Sequence, residues 1–285
     1  MFSIIIPTFN NLDYLKICIQ SIRKNSKYKH QILVHVNEGK DGTKKYLDSK
    51  NITYTWTSEN VGLCKAVNLA SAKSKKKYIV YSHDDFYFCP NWDKYLLDEI
   101  RNIGHNNFYI SGTMFDTLNN KKFFCGNSYK NFNEKKLLDN YKFFKINNYQ
   151  GSTWAPHIVH KKIWEKVNGF SEEFFPGAGS DPDFAMKLWK NNVRIFKGIS
   201  KSLVYHFGSK TLRNKKVKLH NKLGSRSSKL FLKKWSISIS FFKKHYLKSG
   251  SNYYGPLSDP NINFFYLFDL LICKIKYIYI KIYNV

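Results

Sequence analysis

The sequence predicts an α/β fold: a mostly parallel sheet flanked by helices, followed by a basic, mainly helical C-terminal extension. Three observations predict it. Short β-branched runs alternate with amphipathic segments through the first hundred residues. One run, Tyr78-Ile79-Val80-Tyr81, ends abruptly in Ser82-His83-Asp84-Asp85, so a strand delivers paired acids to a sheet edge. The charge is uneven: residues 197–285 hold 18 Lys/Arg against 2 Asp/Glu, a net of +16 within a formal +27 for the chain.

Each element follows from local chemistry. Residues 3–6 make a short buried strand bounded by Pro7. Asn10 or Asn11 caps a helix in which Leu12, Leu15, Ile19 and Ile22 share one face. Residues 31–36 form the second strand, and Glu38-Gly39-Lys40-Asp41-Gly42 a turn before a short helix. A third strand spans 52–56 and a helix 62–72; a fourth strand spans 79–82 and a helix 92–101. Residues 105–180 are less regular and read as α+β insertions, with strands near 109–113 and 158–160. A helix over 183–192 and a short strand over 193–196 follow, and beyond residue 210 the chain becomes Lys-rich, helical or looped. Ligands of such sheets sit at the C-terminal strand ends. Those ends are residues 7–10, 37–39, 57–60 and 82–85, all polar or carrying special backbone residues.

The 285 residues suit one large domain, or one domain with an appendage. Hydrophobic residues at 43% and aromatics at 17% supply a core and exclude compositional disorder. A charge of +27 attracts anions: nucleotides, nucleic acid or an acidic membrane surface. The five cysteines (18, 64, 89, 125 and 273) are odd in number and form no CxxC pair. Neither a disulfide framework nor a cysteine metal site is expected, and a reducing cytoplasm is the default. The apolar run at residues 2–6 is too short for a signal peptide.

The motifs are more specific than the composition. In order they are Ser3-Ile4-Ile5-Ile6-Pro7-Thr8-Phe9-Asn10, Val36-Asn37-Glu38-Gly39-Lys40-Asp41-Gly42-Thr43, and Glu59-Asn60-Val61-Gly62-Leu63-Cys64-Lys65-Ala66-Val67-Asn68. Ser82-His83-Asp84-Asp85 is the fourth. Asn168-Gly169-Phe170-Ser171-Glu172-Glu173-Phe174 with Gly179-Ser180-Asp181-Pro182-Asp183 is the fifth, and Val204-Tyr205-His206-Phe207-Gly208-Ser209 the last. Together, over residues 1–210, they resemble glycosyltransferase family 2, the large GT-A-fold group. The resemblance implies a GT-A-like (Rossmann-like) catalytic domain over 1–210, with a nucleotide-sugar half at 1–104 and an acceptor half at 105–210. Residues 211–285 are then a basic, aromatic extension. The implied activity is a metal-dependent, inverting transfer from a nucleotide-diphosphate sugar, a UDP-sugar being expected, to a hydroxyl of a glycan or lipid-linked acceptor. Polysaccharide biosynthesis is the implied setting, and Mn²⁺ or Mg²⁺ the implied cofactor.

The residues carry matching chemistry. Asp84 and Asp85 can start a turn, or hold a divalent cation against a diphosphate. The family usually has another Asp where this chain has Ser82, so Asp84 is the expected first ligand, with Asp85 and then His206 beside it. His83 is expected to face away, because side chains alternate at a strand end. Asp181 is the expected general base, taking the proton of the attacking hydroxyl. It can also be a helix cap, and Pro182 is expected to hold it just outside a helix starting near Asp183, the fallback base. Nucleotide contacts are expected from Pro7, Thr8, Phe9 and Asn10, and from Asn37 and Glu38. Asn60, Gly62, Lys65 and Asn68 join them, with the helix opened by Gly62 favouring phosphate. Trp154 and His157 lie where acceptor contacts fall, though Trp154 also suits a core.

Two late segments mix bulky apolar residues with lysines, 230–244 and 263–273. The second is too short and punctuated to span a bilayer, and lying on an anionic membrane surface at the cytoplasmic face fits it. Packing on the catalytic domain with a solvated Lys face is the alternative. Two other functions are weighed. A nucleic-acid-binding protein fits the charge, but the basic residues form no recognised module. A nucleotidyltransferase would want a Gly-rich, basic loop after the first strand, and Pro7-Thr8-Phe9-Asn10-Asn11 is not one.

Overall fold

The computed structural model describes residues 1–116, 124–208 and 217–282. Strand β1 (Phe2–Phe9) lies parallel between β2 (Gln31–Asn37) and β4 (Tyr78–Tyr81), and β3 (Thr53–Thr57) extends the sheet beyond β2. The remaining strands are β5 (Phe86–Phe88), β6 (Phe108–Asp116), β7 (Tyr149–Gln150), β8 (His157–His160) and β9 (Ile195–His206). The sheet order is β3-β2-β1-β4-β8-β6-β9-β5, with β7 on β9. The long ladders are parallel, including β6 on β9; β8 is antiparallel to both its neighbours, and β5 and β7 are antiparallel to β9.

Helices α1 (Leu12–Asn25), α2 (Thr43–Ser49), α3 (Gly62–Ser71) and α4 (Trp92–Ile103) alternate with the first strands as the hydrophobic pattern predicts. Then come α5 (Glu134–Asn140), α6 (Lys161–Lys166), α7 (Ser180–Lys190), α8 (Val217–Trp235) and α9 (Phe264–Ile282). Ile4, Ile5 and Ile6 of β1 are fully buried, as are Val80 of β4 and Ile158 of β8.

Three expected boundaries move, each for a physical reason. Strand β1 continues through Pro7 to Phe9. The Ile5 carbonyl accepts the last bond from the β4 side, from Ser82 N at 3.0 Å, so Pro7 faces that side beyond the end of the ladder. Its missing N–H costs nothing there. Helix α7 starts at Ser180, not near Asp183, so Asp181 lies inside its first turn. Pro182 is tolerated because first-turn N–H groups lack intrahelical partners anyway. Strand β9 runs to His206 instead of stopping at 196. Polar residues 200–202 mask it in the sequence, and they fall at a bulge, where the register shifts between Gly112 and Thr113.

The C-terminal extension packs on this body. Phe231 of α8, Phe242, Leu257 and Cys273 of α9 belong to the same buried cluster as Ile4 and Val80. Arg194 holds Asp259 at 2.9 Å, and its carbonyl accepts from Leu257 N at 2.8 Å. The apolar stretch at 263–273 is the first half of the longer helix α9.

Candidate active site

The paired acids leave the sheet where β4 stops. Residues 82–83 are irregular and 84–85 form a turn, after which β5 pairs with β9, Phe86 opposite His206. That pairing sets His206 against Asp85, with Nε2 3.3 Å from Oδ2. His83 Nδ1 lies 4.0 Å from Asp85 Oδ1, and the ring stacks on Phe86 at 4.7 Å. Among the described residues, His83, Asp85 and His206 form one group whose ligand atoms all lie within 4.8 Å of one another. Burial pushes the His83 pKa down to about 4, only partly opposed by the charge of Asp85. At neutral pH it is therefore the uncharged imidazole that metals bind. Two imidazoles and a carboxylate are a donor set that suits a divalent first-row transition ion.

The expectation that His83 faces away fails because residues 82–85 are not strand, so alternation does not govern them. Asp84, expected as the first metal ligand, takes a different partner: its Oδ2 accepts from Thr8 Oγ1 at 2.7 Å. Burial pushes its pKa up to about 7, with the charge of Asp85 adding to the effect. A carboxyl so placed ties the β4 end to the β1 end.

The second group of acids opens α7. Asp181 has one carboxylate oxygen, Oδ1, buried without a hydrogen-bond partner. Burial pushes its pKa up to about 7, and the charge of Lys243 pulls the other way. Asp183, two residues on, is fully buried. Its Oδ2 accepts from Ser171 Oγ at 2.6 Å, and its Oδ1 from Trp235 Nε1 at 2.8 Å, with Lys234 Nζ at 2.9 Å. Both oxygens are occupied, so Asp183 fits a tie between α7 and α8 and not a base open to an acceptor. The Tyr81 hydroxyl is pushed far above its ordinary range by burial, and the charges of Asp181, Asp84 and Asp85 add to this.

The nucleotide end divides into open and committed residues. Pro7 and Phe9 are half-buried at the β1 end, and Asn10 is exposed. Asn10 (φ 45) and Glu38 (φ 61) both hold left-handed backbone. The Asn10 amide donates to Glu38 Oε2 at 3.2 Å while its oxygen accepts from Lys40 N at 2.8 Å. Trp56 Nε1 donates to the Glu38 carbonyl at 2.8 Å. Asn37 is buried and internal: its Oδ1 accepts from Val61 N at 3.0 Å, and its Nδ2 reaches the Thr8 carbonyl at 3.4 Å. Asn68 clamps the loop after α6, accepting from Phe170 N at 2.9 Å and donating to Phe170 O at 2.9 Å.

The N-terminus of α3 is not the open phosphate cradle that the sequence predicts. Gly62 N donates to Asn60 Oδ1 at 3.0 Å, and Leu63 N to Pro176 O at 2.8 Å. A side chain at Gly62 would strike the Phe175 ring, 2.6 Å from the Cβ position, which explains the glycine by packing as well as by its φ of 79°. Lys65 is exposed on the same helix.

With this geometry in view, relatives become informative. A model of "Glycosyl transferase family 2" matches residues 3–163, more than half of the chain. The chain belongs to glycosyl transferase family 2. No curated protein sequence matches it. Solved structures of S. aureus TarS share the fold of this family 2 chain at low identity. TarS 1–349 superposes with a TM-score of 0.53 at 16% identity, covering 72% of this chain and 60% of that one. Its complex with UDP gives 0.56 at 14%, covering 85% and 74%, and the complex with UDP-GlcNAc 0.52 at 14% with the same coverage. Full TarS is covered over only 45% of its length. The mixed sheet with flanking helices is thus the GT-A architecture.

Placed on the family 2 fold, the predicted residues sort into three sets. Thr8, Asp84, Asp85 and His206 are brought together at the ends of β1, β4 and β9, with His83 added. Asp181 carries a buried carboxylate oxygen, Oδ1, without a hydrogen-bond partner. Asn37, Asn60, Asn68 and Asp183 are taken up by the scaffold. Of the acceptor candidates, Trp154 is 37% exposed and stacks on Tyr149 at 5.8 Å, so it can meet a ligand. His157 cannot: it is buried among Tyr81, Tyr109, Phe170 and Phe184, and burial pushes its pKa down to about 3. Sequence reasoning turns His83 away from the site and misses Lys243, Lys234 and Trp235. The last three come from the extension, where no local motif marks them.

Proposed function

We propose that this family 2 chain is a metal-dependent, inverting glycosyltransferase that uses a nucleotide-diphosphate sugar. The observation that carries the reading is the cluster at the strand ends: Asp85, His83 and His206 with ligand atoms within 4.8 Å of one another. The UDP and UDP-GlcNAc in the TarS structures support a UDP-sugar as donor. Asp85, His206 and His83 are the residues that would hold the cation, with Asp84 beside them on the strand end. A bound divalent ion supplies Lewis-acid stabilisation to the charge developing on the leaving diphosphate.

The protein's own steps follow from its residues. Thr8 fixes Asp84, which orients the donor end. Asp181 accepts the proton of an acceptor hydroxyl as that oxygen bonds to the anomeric carbon. The bond from that carbon to the diphosphate breaks on the far side, its electron pair leaving on the diphosphate oxygen, so the centre inverts. A carboxyl with a pKa of about 7 suits this task, since it is partly ionised near neutral pH and still basic. Trp154 offers an exposed ring on which a sugar acceptor can stack. We assign the acceptor to polysaccharide biosynthesis, as a glycan or lipid-linked acceptor met at an anionic membrane surface.

A thermal-shift panel of nucleotide sugars, with and without Mn²⁺, checks the reading. It expects stabilisation by UDP-sugars that needs the metal. No stabilisation by any nucleotide sugar with Mn²⁺ present would sink it.

A further inference from the structure

Helix α9 has two unlike faces. Tyr266, Leu270, Cys273, Tyr277 and Ile280 recur at helical spacing and pack on the body. Phe264, Phe268, Leu271, Ile275, Ile278 and Ile282 form the opposite stripe, each between 53 and 73% exposed. The inner face is anchored: Asp269 accepts from Lys244 Nζ and from His245 Nε2, both at 2.7 Å, and Tyr266 meets Phe241 edge-on at 5.1 Å. The outer stripe is a continuous apolar ridge of a kind that water-soluble surfaces rarely leave open.

Charge says what covers it. At 100° per residue, Lys274 and Lys281 fall along one border of the stripe and Lys276 along the other, all exposed. Lysines bordering an apolar face can keep their ammonium groups at headgroup level while the stripe enters the acyl boundary. A second copy would bring two chains of +27 together with their lysine borders side by side, which opposes that pairing. No helix among the described residues is long and apolar enough to cross a membrane, so the geometry is that of lying on one.

We infer that the outer face of α9 is a docking surface for an anionic lipid bilayer, with the stripe in the interface and the lysines on acidic headgroups. The inference deepens, and rests on, the proposal that the acceptor is met at a membrane. Its readout contains no transfer step, so its failure leaves the donor and base assignments standing.

Flotation of the full chain tests it, using vesicles of phosphatidylcholine alone or with about one-third phosphatidylglycerol. The wild-type chain is expected to float with the anionic vesicles and to bind the neutral ones far more weakly. The triple variant Leu271→Asp, Ile275→Asp, Ile278→Asp changes only exposed side chains, and should lose on the order of a hundredfold in partitioning. A second variant, Lys274→Glu, Lys276→Glu, Lys281→Glu, leaves the stripe intact and should lose the preference for anionic lipid. Wild-type protein that ignores anionic vesicles overturns the inference, as does a folded triple variant that floats like wild type. So does light scattering that finds a dimer, broken by the triple variant, together with no flotation; that result gives the face to a second copy.

Discussion

The acids after β4 and the acids opening α7 are held by different means. Asp84 and Asp85 sit on a turn between two strands, fixed by Thr8 of β1 and His206 of β9. The sheet itself sets their positions. Asp181 and Asp183 sit on one helical turn whose surroundings come largely from the extension: Lys234 and Trp235 bind Asp183, and the Lys243 charge acts on Asp181. Within that turn, the residue that is fully satisfied is the tie and the one with an open oxygen is the candidate base. Within α7, number of partners, and not spacing from the motif, separates the structural tie from the candidate base.

The comparison breaks if the two regions do not divide the work. The largest expected effect is on turnover. Asp181→Asn should lower kcat by about 10²–10⁴-fold and leave UDP binding unchanged, as steady-state kinetics and calorimetry would read. Retained turnover would move the base elsewhere. Next, Asp85→Asn or His206→Ala should weaken Mn²⁺ binding on the order of 100-fold, measured by titration with the metal in the presence of UDP. An unchanged affinity removes those residues from the metal.

Smaller effects sharpen the contrast inside α7. Asp183→Ala leaves Lys234, Trp235 and Ser171 without their shared acceptor. The cost is about 2–4 kcal/mol, or roughly 5–10 °C in melting temperature. A melt matching wild type would deny the tie. The pH profile is subtler. Below a pKa of about 7 Asp181 is protonated and cannot accept a proton; above it the carboxylate is free to do so. The kcat/KM of the wild type should therefore rise as pH increases through about 7 and then level off. Lys243→Ala removes a positive charge that favours the carboxylate, so the rising limb should move to higher pH. A limb that moves the other way, or not at all, contradicts the placement of Lys243.

Much of this was legible in the sequence, and the limits have causes. The β4 run and its acids are contiguous, so one stretch announces both strand and site. His206 carried a motif of its own, though not the long strand that delivers it, because residues 200–202 interrupt the alternation at a bulge. The orientation of His83 is hidden in the sequence, since it depends on the strand stopping at Tyr81, one residue earlier than the pattern suggests. Asn68 and Gly62 belong to a motif whose spacing looks like ligand binding; in the fold they serve a clamp and a close approach to Phe175. Lys234, Trp235 and Lys243 lie some fifty residues or more from the acids they act on, and no periodicity reports such contacts.

The most direct measurement is a UDP titration in the presence of Mn²⁺, run in parallel on Asp85→Asn, Asp181→Asn and wild type. The account predicts that Asp181→Asn binds UDP as wild type does, while Asp85→Asn loses the metal-dependent part of the binding. Equal affinities in all three proteins, or a loss confined to Asp181→Asn, would contradict the division of labour between the two acidic groups.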